Sequence, residues 1–257
     1  MKNLRATEKK EMSQTIQNMQ IPKIIHQIWS GVDESLPKHF EILSETWKEH
    51  HPSWRYIVWN NQMMNLFVQE HYPLFWDVYS AFQYNIQRWD AIRYLILDKL
   101  GGMYVDFDYE CLEAHDSLLK TKICCFASEP GENGSELNGK KYFFNNALMA
   151  SVPNSLFMKT IIDFVFSYNR NEREKYNYPK GFEVLITTGP IALNKLYEEY
   201  ESKSDVYIIP SKHVSPITSG ESRQILLENR TDKEIEEKFQ EAYSVHYFFS
   251  EWMRTKN

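Results

Sequence analysis

Short apolar runs alternate along this chain with segments in which apolar residues recur every three or four positions. Lys23–Trp29 (KIIHQIW), bracketed by Pro22 and Ser30-Gly31, reads as a buried strand. Phe40, Leu43 and Trp47 then recur at helical spacing up to about His50. Pro52-Ser53 breaks that pattern, and Trp54–Trp59 (WRYIVW) reads as a second strand, completing a β-α-β unit. Helices are predicted over roughly 62–70 and from about Trp76 to Leu100, the second stopped by Gly101-Gly102 as by a C-cap. Further strands are predicted at Met103–Phe107, Ile123–Ala127, Tyr142–Ala150, Val206–Ile209 and Ala242–Phe249. Helices are expected at Asn154–Tyr168 and Pro190–Glu201, the latter opened by Thr188-Gly189-Pro190 with proline in the first turn. Strands alternating with helices, and no linker between them, predict a single α/β domain over 21–257. Helical additions after residue 150 are expected to cover one side, and residues 1–20 to form a solvated helix or frayed tail.

Composition narrows this picture. Twenty-nine Lys+Arg against 35 Asp+Glu give a net charge of −6, so the chain has no bulk attraction for polyanions and nucleic-acid binding is not expected. Cys111, Cys124 and Cys125 are an odd set without metal-ligand spacing, which fits a reducing compartment; Cys124 and Cys125 read as buried strand residues. His26 and His50-His51 have no sequence partners at ligand spacing and read as structural. Residues 1–20 lack the apolar centre of a signal peptide. Ile161–Phe166 and Tyr94–Leu97 fall far short of the ~20 residues that span a bilayer. A soluble, cytoplasmic protein is expected, with peripheral association at the inner face of a membrane left open.

The chemistry is concentrated in Arg88–Asp108, RWDAIRYLILDKLGGMYVDFD. Arg93 lies close to the apolar face set by Trp89, Ile92, Ile96 and Leu100, with Asp90 three residues earlier. A cation near a core needs a partner, and an internal Asp90–Arg93 ion pair would suffice. Asp106-Phe107-Asp108 adds more. On a strand, residues two apart share a face, so both carboxylates would point together while Phe107 enters the core. Two adjacent like charges are unfavourable unless a cation sits between them, and carboxylate oxygens suit Mg2+ or Mn2+. The alternative is a pair of solvated acids at a strand end. The triplet closes an apolar strand entered through Gly-Gly, where open α/β sheets bind ligands.

IPKIIHQIW, the helix carrying Asp90-x-x-Arg93, and GGMYVDFD together resemble glycosyltransferase family 32, the DXD-motif sugar transferases. The chain is also similar to the catalytic domain of the large clostridial glucosylating toxins. The resemblance implies a GT-A fold: a Rossmann-like, nucleotide-binding mixed sheet flanked by helices, with helical additions on the acceptor side. It implies retaining transfer of a hexose from a nucleotide sugar, here expected to be a UDP-hexose, to an oligosaccharide or lipid-linked glycan acceptor. Bacterial surface (capsular) polysaccharide synthesis is the expected setting. On this resemblance Asp108 would be a principal Mn2+ or Mg2+ ligand, and Asp106 would contact metal and ribose or sugar. Asp90 and Arg93 would hold donor hydroxyls beside Tyr104, and Trp29 would stack on the nucleobase. The closing VHYFFSEW would supply His246 to the metal and Ser250 and Trp252 to the donor. Asn146, after Asn145, would reach the donor or acceptor, or be a polar strand end. Tyr176 and Tyr178 are open between sugar stacking and loop packing.

The chain offers no obvious nucleophile for a double displacement, which favours front-face attack by the acceptor hydroxyl with the leaving phosphate taking its proton. A metal-dependent phosphohydrolase and a catalytically silent nucleotide-sugar-binding domain are the competing readings. The first would need more acidic or histidine ligands beside Asp106 and Asp108 than the sequence places there.

Overall fold

The computed structural model describes residues 19–29, 35–130, 143–167, 178–228 and 232–249. Its centre is a six-stranded sheet of β1 (Ile24–Ile28), β2 (Arg55–Trp59), β3 (Gly102–Val105), β5 (Cys124–Ser128), β6 (Phe144–Ser151) and β7 (Val206–Ile209). The spatial order is β2-β1-β3-β6-β5-β7. Neighbours pair in parallel except at β6, which runs antiparallel to both β3 and β5. The sheet is thus mixed. β4 (Tyr109–Cys111) and β8 (Ser244–His246) form a separate antiparallel pair in which Tyr109 faces His246.

Side chains alternate between two cores. Tyr104, Cys124, Phe126, Phe144 and Met149 join one with α2 (Asn61–His71), α3 (Trp76–Ser80), α4 (Asn85–Leu100) and α6 (Leu156–Ser167). Met103, Val105, Cys125, Ala127, Leu148 and Ala150 join the other with Trp47 of α1 (Lys38–His50) and Leu119 of α5 (Asp116–Leu119). Strand residues one apart therefore face opposite layers, as a sheet covered on both sides requires. Cys124 and Cys125 are buried strand residues, as expected. No described helix is long and apolar enough to cross a membrane.

The structure departs from the sequence reading in several places, β4 and α5 among them. The helix expected from Trp76 to Leu100 is two helices, because Tyr84 is extended and its N–H donates to Oε1 of Gln87, which starts α4 afresh. β3 ends at Val105, so Asp106–Asp108 form a turn, with the Tyr109 N–H donating to the Asp106 carbonyl. The last strand spans only Ser244–His246. Helix α7 (Lys180–Thr187) was not expected: it is eight residues long and carries Gly181, Val184, Ile186 and Thr187, all weak helix formers. It precedes α8 (Pro190–Glu199), which starts at the predicted proline. The short helices α9 (Ser211–Val214), α10 (Ser219–Glu228) and α11 (Lys233–Phe239) complete the added side.

His26 is structural. Its Nε2 bonds the Gly101 carbonyl at 2.9 Å and its Nδ1 accepts from Trp59 Nε1 at 3.1 Å, which fixes a neutral tautomer. His51 has partners that its sequence neighbourhood does not reveal: it shares a buried cluster with Cys111 and His115. There His51 Nε2 accepts from the His115 N–H, leaving Nδ1–H for the Trp47 carbonyl, and Cys111 Sγ donates to the Glu113 carbonyl. Burial pushes the Cys111 thiol far up and His115 down to about 3. A neutral thiol beside a histidine already using both nitrogens reads as packing.

Candidate active site

The C-terminal ends of β1, β3 and β5 and the N-terminal end of β6 meet at one edge of the sheet. A cavity of about 400 Å³ opens there. Open α/β sheets bind ligands outside the carboxyl ends of their strands, at such an edge, and this size suits a small-molecule ligand.

One wall is built by α4. Arg93 is buried, its guanidinium 3.4 Å from Asp90 Oδ1 and 3.4 Å from Asp106 Oδ1. It also donates to the Asn146 carbonyl at 2.9 Å and lies 4.7 Å from the Tyr104 ring centroid. The local ion pair expected within α4 exists, but Arg93 carries it across to β3 and β6. Tyr104 and Asp106, two residues apart, face α4 together, and the tyrosine hydroxyl donates to Asp106 Oδ1. Asp90 accepts from Asn146 Nδ2 (2.9 Å) and Thr188 Oγ1 (2.9 Å). Asn146 Nδ2 also donates to Tyr94 Oη at 3.0 Å. Burial pushes Asp90 up to about 6 against the pull of Arg93. Burial alone would lower Arg93, yet Asp106, Tyr104 and Asp90 hold it above its ordinary value.

Asp108 turns the other way. His246 Nε2 lies 3.3 Å from its Oδ1, and the Phe249 N–H donates to its Oδ2 at 3.0 Å. His246 is stacked on Tyr109 with centroids 4.3 Å apart. Burial opposes charge on both partners, but their mutual attraction holds Asp108 low and His246 high. Asp106 is raised, by burial and by the charge of Asp108. The shared-face geometry expected for a strand is therefore replaced by a turn that gives each aspartate its own partners.

Trp29, Phe40, Phe107 and Phe249 line an aromatic end of the cavity, with Trp29 edge-on to Phe40 (5.8 Å) and Phe107 (6.2 Å). Among the described lining residues, Asp90, Asp106, Asp108 and Glu129 face a single guanidinium, Arg93, and one imidazole, His246. His246 Nδ1 is buried without a hydrogen-bond partner among them. Asp106 and Asp108 with the orphaned imidazole nitrogen of His246 fit a divalent cation with oxygen and nitrogen ligands.

The cavity thus brings together Trp29, Asp90, Arg93, Tyr104, Asp106, Asp108, Asn146 and His246. Ser250, Trp252 and Tyr176 lie outside the described residues. Tyr178 stands beside Phe182, with centroids 5.2 Å apart, at the start of α7. Thr188 and Glu129 join the site without having been singled out as ligands. The TTGP turn was the signal for Thr188; Glu129 carried none.

Residues 37–123 match the family model described as the glycosyltransferase sugar-binding region containing the DXD motif. An inositol phosphoceramide mannosyltransferase of Schizosaccharomyces pombe is 30% identical over 70% of this chain and 47% of its own length. A mannosyl phosphorylinositol ceramide synthase of Saccharomyces cerevisiae is 31% identical over 72% of this chain and 44% of its own. The chain thus spans less than half the length of either fungal protein. An uncharacterized glycosyltransferase of Acanthamoeba polyphaga mimivirus is 25% identical over 90% of this chain and 84% of its own. Among solved structures, the PaToxG glycosyltransferase aligns over 93% of this chain and 94% of its own, with a TM-score of 0.54 at 18% identity. The glycosyltransferase domain of the YGT toxin gives 0.51 over 75% of this chain and 80% of its own, at 12% identity. With a mixed sheet of GT-A fold and the DXD turn at the centre of its cavity, the chain carries the DXD-motif sugar-binding region and is similar to the glycosyltransferases of family 32.

Proposed function

We propose that the chain transfers a hexose from a nucleotide sugar to a hydroxyl acceptor, with retention at the anomeric carbon. The observation that carries this reading is the Arg93–Asp90–Asp106 network facing Asp108 and His246 across one cavity. The names of the fungal relatives favour mannose as the sugar and a phosphoinositol-bearing lipid as the acceptor. They move the reading away from the capsular polysaccharide that the resemblance alone suggests. A YGT toxin domain solved with UDP bound has a TM-score of 0.50, which keeps uridine and guanosine donors both in the test.

Asp106, Asp108 and His246 would hold Mn2+ or Mg2+. The cation would supply Lewis-acid stabilisation of charge on the departing diphosphate. Asp90, fixed by Arg93, Asn146 and Thr188, offers acceptor oxygens to donor-sugar hydroxyls. Buried carboxylates aimed at the sugar also stabilise positive charge that grows on it as the glycosidic bond breaks. Trp29 supplies an aromatic surface for the base at the uncharged end. The acceptor hydroxyl would attack from the leaving-group side and pass its proton to the departing phosphate.

The test is nucleotide release and sugar transfer from GDP-mannose, UDP-glucose and UDP-galactose, with Mn2+ or with EDTA, in the presence of a short-chain inositol phosphoceramide. Cation-dependent transfer from one donor is expected. Release of inorganic phosphate instead would favour the phosphohydrolase, and binding without turnover the silent domain.

A further inference from the structure

Glu129 is the charged group in the cavity that this reading leaves without a task. It follows β5 directly, at the same sheet edge where β3 delivers Asp106 and Asp108. Its N–H donates to the Phe143 carbonyl at 2.8 Å, which continues the ladder with β6 beyond the irregularity at Phe126/Ser128 and fixes the backbone. Its carboxylate lines the cavity and accepts from Asn145 Nδ2 at 3.3 Å. That amide is itself oriented, because Asn145 Oδ1 accepts from the Ala147 N–H at 3.0 Å. Among the described residues no lysine or arginine pairs with Glu129, and the positive charge that acts on it is His246. A half-buried carboxylate held in place by an oriented amide, without a cation of its own, is arranged for a ligand.

The chemistry of that ligand follows from the group. An ionised carboxylate only accepts hydrogen bonds, so it repels a diphosphate and suits a hydroxyl or a cation. Successive residues of a strand point to opposite faces, and Asn145 and Asn146 are successive. Asn146 serves the Asp90–Arg93 wall that the proposed function gives to the donor sugar. Asn145 serves Glu129, away from that wall and toward Tyr109 and His246, whose charge Glu129 feels. We propose that Glu129 is the ligand of an acceptor hydroxyl, holding a polyol acceptor at the His246 end of the cavity, on the leaving-group side. The inference rests on the transferase reading and deepens it: it gives the acceptor half of the reaction a residue.

The test compares Glu129→Gln and Glu129→Asp with the unsubstituted chain in two assays. One is hydrolysis of the active nucleotide sugar by water, which needs no acceptor. The other is transfer to a short-chain inositol phosphoceramide and, separately, to methyl α-mannoside, with the KM for each measured. Glu129→Gln should raise the acceptor KM about tenfold, the loss of one charge-assisted hydrogen bond. Hydrolysis should stay within about twofold, and the Mn2+-dependent stabilisation by nucleotide should persist. Glu129→Asp keeps the charge and should fall between, and it carries the same comparison where the amide variant folds poorly. An unchanged acceptor KM in both variants overturns the proposal. So does a parallel loss of hydrolysis and transfer, or loss of the Mn2+ effect, either of which would assign Glu129 to donor or cation. Absence of turnover of any donor by the unsubstituted chain is a different result, and it overturns the transferase reading itself.

Discussion

Arg93 is tied at once to Asp90, Asp106 and the Asn146 carbonyl, so its removal disturbs the fold as well as the chemistry. Arg93→Ala should cost about 3–5 kcal/mol of stability, because it strands buried carboxylates. Asp108 is the cleaner probe. Asp108→Asn keeps its shape and hydrogen-bond reach while deleting the charge that faces His246. Turnover should fall roughly a hundredfold, the equivalent of about 3 kcal/mol of lost electrostatic stabilisation. Urea denaturation should show a loss of no more than about 2 kcal/mol. Full activity in this variant would remove Asp108 from the mechanism. His26 and His115 make a separate prediction. Burial lowers His26 from 6.5 to about 4 and His115 to about 3, so the folded protein resists protons that the unfolded chain accepts. Stability from these groups is full above about pH 6.5 and declines as pH falls through that window, by on the order of 3 kcal/mol for His26. Asp90, held up to about 6, acts in the opposite sense, because there the folded state takes the proton more readily. An NMR titration of the imidazole signals separates the contributions, and protonation of His26 near pH 6.5 in folded protein would refute the assignment.

The Gly101-Gly102 corner joins α4 to β3 and thereby sets how the arginine wall faces the aspartate turn. Gly102 has φ +99°, and a Cβ there would lie 2.6 Å from the Ile24 carbonyl oxygen on neighbouring β1. Backbone strain and collision act together, so Gly102→Ala should cost on the order of 3 kcal/mol. Chemical denaturation measures it; a neutral substitution would mean that β1 and β3 can part freely. This corner was legible in the sequence because two glycines after a long apolar helix leave few other readings. The central strands β3 and β5 were legible for a similar reason: buried throughout, they appear as short apolar runs. The elements that escaped notice are the ones whose stability is not local. β4, like the shortened β8, is three residues long and exists through pairing with a strand far along the chain, Tyr109 facing His246. Helix α7 is held by packing on α8 against its β-branched residues, a tertiary decision that periodicity does not record.

At the scale of the molecule, the site divides along the chain. The matched sugar-binding region, 37–123, holds Asp90, Arg93, Tyr104, Asp106 and Asp108, and these were readable because the motif is compact. Glu129, Asn146 and His246 reach the cavity from later segments through the end of β5, the antiparallel β6 and the β4–β8 pair, and Thr188 reaches Asp90 from the turn before α8. Asn146 and His246 were expected through the family resemblance, and no spacing in the sequence announces Glu129 or Thr188. The same division has an electrostatic consequence. Four carboxylates face Arg93 and His246 in the cavity, so a diphosphate entering alone meets net negative charge. A cation entering alone must separate Asp108 from its hydrogen-bonded His246 with nothing added on the far side. Together the two ligands neutralise each other, so their binding should be strongly coupled. In a thermal-shift experiment, nucleotide sugar or Mn2+ alone should move the melting temperature by about 1 °C or less, and both together by roughly 5 °C or more at saturating concentration. In Asp108→Asn the combined shift should collapse to the sum of the separate ones. An equal shift from the nucleotide sugar in EDTA would show that the protein's own groups suffice for the diphosphate, and the cation would lose its place in the reaction.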